Sequence, residues 1–139
     1  MEDNSTINYD NYFQLETTEP VVNDFVQDHT LSVKLVIMAN DYLKEFVVRK
    51  NKVANDPDES VEQLVIDFYT GLCRIHSELE SAFTNLQISY FALKEAAQTN
   101  DTVRTEFNKL PPNFEALQDT LNSILSKYSF AIDSLKERM

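Results

Sequence analysis

The chain has one glycine, one cysteine and four prolines in 139 residues, and 12 basic residues against 23 acidic ones. Each scarcity excludes something. A turn-rich all-β fold needs turn residues roughly every 8–12 positions, and this sequence cannot supply them. One glycine cannot build a Gly-rich phosphate loop. The single cysteine, Cys73, excludes an intrachain disulfide and predicts an intracellular, reducing address. No stretch approaches the roughly 20 apolar residues of a membrane helix. The start Met1-Glu2-Asp3 lacks the basic region and apolar core of a secretory leader, so none is expected. A net charge of −11 argues against direct binding to nucleic acid or to an anionic membrane, which requires clustered cations. The one basic cluster, Lys44, Arg49, Lys50 and Lys52, falls where a helix is expected to end and would complement its negative C-terminal dipole.

What the chain does have is a heptad. From Val61, apolar residues fall at Val65, Phe68, Leu72, Ile75, Leu79, Ala82, Leu86, Tyr90, Leu93 and Ala97. The gaps alternate four and three, the seam of a helix that packs lengthwise on other helices. The fold class predicted is all-α: an elongated antiparallel bundle of three long helices, about 23–50, 57–98 and 113–138. The first carries Leu35, Ala39, Tyr42 and Phe46, widened by Val36, Leu43 and Val47. Residues 51–55 read as a polar connection. Asp56 is a suitable N-cap for the second helix, with Pro57 at its first position and Glu59 in a capping-box-like place. Gly71 lies inside that helix, where glycine costs about 0.5–1 kcal/mol relative to alanine. The heptad phase crosses it unshifted, so a continuous helix is expected, and Gly71→Ala should stabilise it if the site is uncrowded. Thr102 to Lys109 can form a short helix before Pro111-Pro112. Asn113 can then cap the last long helix, with Phe114, Leu117, Leu121, Ile124, Tyr128, Ala131 and Leu135 again at heptad spacing.

The predicted domain organisation is a flexible acidic tail over 1–22 and a helical bundle over 23–139. Residues 1–24 hold six acidic residues and no basic ones, too polar to offset ordering entropy. Yet Tyr9, Tyr12, Phe13 and Leu15 lie close together there. Two readings stay open: these side chains dock on a partner, or they fold back onto the chain's own core.

The second helix carries more apolar surface than one seam needs. Ile66, Tyr69, Cys73, His76, Phe83 and Phe91 flank the main stripe at helical spacing. The combined arc covers over half the circumference, beyond the apolar stripe of an ordinary surface helix. Two shorter antiparallel neighbours would cover it only in part, and two readings of the remainder stay open: another chain covers it, or a more compact bundle does, with residues 99–112 and the tail laid over it. Ile66, Tyr69, Phe83 and Phe91, with Tyr9, Tyr12 and Phe13 of the tail, are therefore the candidate partner-binding residues.

Nothing points to catalysis, a metal or a cofactor. Cys73 and His76 share a helical face, but structural zinc needs four ligands and the chain has three Cys and His residues in all, His29 included. A Cys–His nucleophile needs an orienting group and an oxyanion hole. Glu80 lies one turn from His76, a common neighbour on helices. Neither histidine has a glutamate three residues before it, as a di-metal carboxylate bundle requires. The expected protein is not an enzyme, has no small-molecule substrate, and takes other helical proteins as partners.

Val65-Ile66-Asp67-Phe68-Tyr69-Thr70-Gly71-Leu72-Cys73, followed by Ile75, Leu79 and Phe83, resembles the central helix of the small all-helical subunits of the Mediator transcription coactivator. There, too, an aromatic pair inside a long helix precedes a Leu-rich heptad. The order of segments is also similar: polar tail, helix, short link, long helix, polar loop, final helix. The resemblance implies a nuclear, non-enzymatic subunit held in a multi-helix assembly by its apolar faces, with no catalytic residues to carry over. Two other readings share parts of the physics: a helical groove-binding regulator of the viral cell-death-inhibitor type, and a vesicle-tethering or organelle-adaptor subunit. The first of these usually needs a short buried central helix, and a helix of some 40 residues is too long for it.

Overall fold

The computed structural model describes residues 19–109 and 114–139. The protein is all-α: helix α1 spans Pro20–Asn55, α2 Val61–Thr99, α3 Asp101–Lys109 and α4 Phe114–Lys136, with no strand among the described residues. Tyr9, Tyr12, Phe13 and most of the expected tail lie outside them.

Both ends of α1 differ from the expected 23–50, for local reasons. Pro20 occupies the first helical position, where its fixed φ fits and its missing N–H costs nothing. The Glu19 carbonyl accepts from the N–H groups of Val22 and Asn23 at 3.1 Å each. At the far end the expected 51–55 connection is helical. Asn55 Nδ2 donates to the Asn51 carbonyl at 2.8 Å, and Asp56 N–H to that of Lys52 at 2.9 Å. The stop is set by Pro57, which disfavours the helical conformation at the residue before it. Of the basic cluster, only Lys52 therefore lies in the last turn.

The start of α2 also moves, from 57 to Val61. Asp56 caps a turn instead of a helix: its Oδ1 accepts from Asp58 N–H at 2.9 Å, and its carbonyl from Glu59 N–H at 3.0 Å. Ser60 is the N-cap, accepting from Gln63 N–H at 3.1 Å. From there α2 runs 39 residues through Gly71, whose φ is not positive. At the start of α3, Asn100 Oδ1 accepts from Val103 N–H at 3.1 Å. Arg104 on α3 folds back and donates to the carbonyls of Ala97 at 3.0 Å and Gln98 at 3.1 Å, two of the orphan acceptors at the C-terminus of α2.

The helices contribute to two compact units. The first takes its described residues from 19–33, 82–109 and 114–118; the second comprises Lys34–Ser81 and Asp119–Met139. In the first, Val22 and Phe25 of α1, Leu86, Leu93 and Ala97 of α2, Val103 of α3 and Leu117 of α4 are buried together with His29, Ser32 and Ser89. Phe25 meets Tyr90 at 5.8 Å between ring centroids, and Tyr90 meets Phe107 at 6.0 Å, so one aromatic row joins α1, α2 and α3. Ser89 Oγ lies within reach of the Asp28 carboxylate and of the Asn85 carbonyl.

In the second unit, Val36, Ala39 and Phe46 pack with Leu64, Phe68, Leu72, Ile75 and Leu79, and with Leu121, Ile124, Tyr128, Ala131, Ile132 and Leu135. Leu64 takes the buried place expected of Val65, which is half-buried. Phe68 is the hub: its ring meets Phe46 edge-on at 5.5 Å and Tyr42 at 5.4 Å, under the Arg49 guanidinium at 5.6 Å. Tyr128 is buried and its hydroxyl donates to the Ala39 carbonyl at 2.6 Å. Burial, with nearby Tyr42 as a smaller influence, holds that hydroxyl protonated far above the ordinary tyrosine range.

Candidate interaction surface

The four described candidate residues divide between the units. Ile66 and Tyr69 belong to the second, Phe83 and Phe91 to the first. Ile66 is 66% exposed and Phe91 68%, whereas Tyr69 and Phe83 are half-buried. The apolar excess of α2 is thus real at two of the four positions. Tyr69 instead engages the thiol one turn along: a hydrogen bond with Cys73, then burial, raises its pKa. Tyr9, Tyr12 and Phe13 fall outside the described residues.

Phe91 does not stand alone. With Thr84, Gln87, Ile88, Tyr90 and Lys94 of α2 and Glu115 and Gln118 of α4, it lines an open groove of about 510 Å³ in the first unit. The spacing on α2 explains the groove. Leu86, Leu93 and Ala97 turn to the core, and 84, 88 and 91, at steps of four and three, form a second ridge on the side of the helix turned away from that seam. Ile88 on this ridge is 62% exposed. Sequence reasoning missed Ile88, although its place three residues before Phe91 was a usable signal. The Glu115 and Gln118 wall had no signal, because it comes from another helix.

The second unit holds a constellation of described residues that resembles catalytic chemistry. His76 Nε2 lies 3.1 Å from Ser129 Oγ, and His76 Nδ1 lies 3.7 Å from Glu80 Oε1. The order serine, histidine, carboxylate is that of a nucleophilic triad. However, 3.7 Å is too long for the hydrogen bond that fixes the imidazole. Ser129 also sits in the interior of α4, where neighbouring N–H groups are engaged along the helix and none is free to receive an oxyanion. The contact links α2 to α4. Among the described residues, no three His, Cys, Asp or Glu side chains converge to hold a metal ion.

Two of the four residues of the basic cluster are engaged within the second unit. Arg49 pairs with Asp67 at 3.0 Å, and Lys50 lies 6.0 Å from the Phe130 ring centroid. The Asp67 carboxyl is held below its ordinary pKa by hydrogen bonds from Gln63 and Arg49. No described helix is long and apolar enough to cross a membrane.

No family model matches the chain, and no curated protein or solved structure is found similar to it.

Proposed function

We propose that this chain is a non-enzymatic helical scaffold subunit of a multiprotein complex, binding other helical proteins through the exposed apolar ridge of α2. The observation that carries the reading is the exposure of Ile88 and Phe91, three residues apart on one ridge over an open groove. Large apolar side chains gathered in this way mark interaction sites, whereas isolated ones need no explanation. The proposal includes an elongated antiparallel arrangement of the three long helices, in keeping with their heptad seams. It also includes a nuclear transcription coactivator of the Mediator type as the setting, supported by the resemblance over Val65–Phe83. A vesicle-tethering subunit would present the same kind of ridge, so the identity of the partner separates the two.

The test is affinity purification of the full chain from nuclear and cytoplasmic extracts, with the Phe91→Glu variant in parallel. Expected is a stoichiometric set of helical proteins, drawn from a nuclear complex and lost with Phe91→Glu. Membrane-trafficking partners would overturn the nuclear setting. A chain that retains no helical protein in either extract would overturn the scaffold reading.

A further inference from the structure

We infer that the groove of the first unit takes a second copy of this chain, in a two-fold pair in which the ridge of each copy seats in the groove of the other. This rests on the scaffold reading and names one helical partner of that same surface. The first argument is shape. A two-fold pair needs a patch that complements itself. Here a convex and a concave feature lie side by side: the exposed Ile88 and Phe91 of α2, and the groove between α2 and α4 that they border. A two-fold axis passing between α2 and α4 turns α4 of the partner subunit over this α2 and runs the two α2 helices antiparallel. Each ridge then faces the other groove, and both are covered in one step.

The second argument is charge. Among the described lining residues only Lys94 and Glu115 are charged, one cation on the α2 wall and one anion on the α4 wall. Both are exposed, and neither is in an ion pair among the described residues. A groove with one charge of each sign gives neither a basic nor an acidic helix a preference. It suits its own copy: the rotation that lays α4 over α2 sets Lys94 opposite Glu115 of the partner subunit, and Glu115 opposite Lys94 of the partner subunit. Against this stands the net charge of −11 on each copy, a repulsion screened beyond about 8 Å at physiological salt. The eight described lining residues fall below the roughly 20–30 a side of a standard interface, so the pair is weak and concentration-dependent, with a Kd on the order of 10 µM.

The experiment is sedimentation equilibrium of the full chain in physiological salt, at about 5–200 µM to bracket that Kd. The wild type is compared with Phe91→Glu, Lys94→Glu and Glu115→Lys, each checked for unchanged helicity. Expected is a wild-type dimer, with the Kd raised about tenfold or more in each variant alone. Phe91→Glu puts a charge on the seated ridge, and either charge reversal opposes like charges at both ends of the pair. Glu115→Lys also lowers the net charge, so diffuse repulsion alone would make it tighten the pair. The deciding sample is an equimolar mixture of Lys94→Glu and Glu115→Lys. A reciprocal pairing restores opposite charges at both contacts, so the mixture should dimerise as tightly as wild type. A wild type that stays monomeric, a dimer indifferent to Phe91→Glu, or a mixture no tighter than its components overturns the inference. The affinity purification above decides the scaffold reading separately: other helical proteins retained by a chain that is monomeric alone overturn the second copy and leave that reading standing.

Discussion

Tyr42 on α1 lies directly against Gly71 on α2: a Cβ built on the glycine would fall on the tyrosine hydroxyl and come within 2.6 Å of Cζ. The only glycine in the chain thus makes room for a side chain of the neighbouring helix. Its backbone conformation demands nothing special, since its φ is not positive. The tyrosine cannot give way freely, because its ring is in contact with Phe68.

Gly71→Ala is consequently expected to destabilise the protein by about 1–3 kcal/mol, the usual cost of overpacking, despite the better helix propensity of alanine. This reverses the gain expected for an uncrowded site. Urea denaturation in a Tyr42→Ala background checks the cause: there the same substitution should become neutral or stabilise by about 0.5–1 kcal/mol. A loss that persists without Tyr42 would place the crowding elsewhere.

That pair marks the boundary of what the sequence could tell. The long helices and the α2 seam follow from periodicity, which is local and needs no partner. The start of α2 differs because a local side-chain bond diverts the expected cap: Asp56 spends its carboxylate on a turn, and Ser60, which the heptad pattern does not single out, caps the helix through the Gln63 N–H. Leu64 displaced Val65 because an angular difference of one residue is small against the width of an apolar arc. Contacts such as Tyr42 with Gly71, or Glu115 beside Phe91, join residues far apart in the chain and leave no mark on spacing. Phe91 itself was legible as excess apolar surface; the groove it lines was not.

Tyr128→Phe tests the buried hydroxyl. Its bond to the Ala39 carbonyl is 2.6 Å long and shielded from water, so its loss should cost about 1–2 kcal/mol. The packing of the ring is kept, so thermal melts should move down without loss of cooperativity. No change in the midpoint would mean that the bond adds nothing beyond the carbonyl's place in its own helix.

His29 should make stability fall with acid before most carboxylates titrate. It is 1% exposed, against Phe25 at 5.7 Å, and burial lowers its pKa from 6.5 to about 4. The unfolded chain then binds a proton that the folded chain refuses. The contribution is fully present above about pH 6.5 and is lost as pH falls toward 4, amounting to about 3 kcal/mol in all. Urea midpoints across this range should decline in the wild type. His29→Leu should flatten the part between pH 6.5 and 5, and an unchanged slope would assign the acid sensitivity to other groups.

Leu79 and Phe91 lie on the same helix and should behave in opposite ways. Leu79 is fully buried, so Leu79→Ala should cost about 2–5 kcal/mol of fold stability. Phe91 is 68% exposed, and a charge there meets water. The most direct measurement is the urea midpoint of Phe91→Glu taken together with its retention of co-expressed helical partners. An unfolding free energy from that midpoint within about 0.5 kcal/mol of wild type, with partner retention abolished, is the result expected of an interaction surface. Unfolding of the variant, or partner retention equal to wild type, would contradict it.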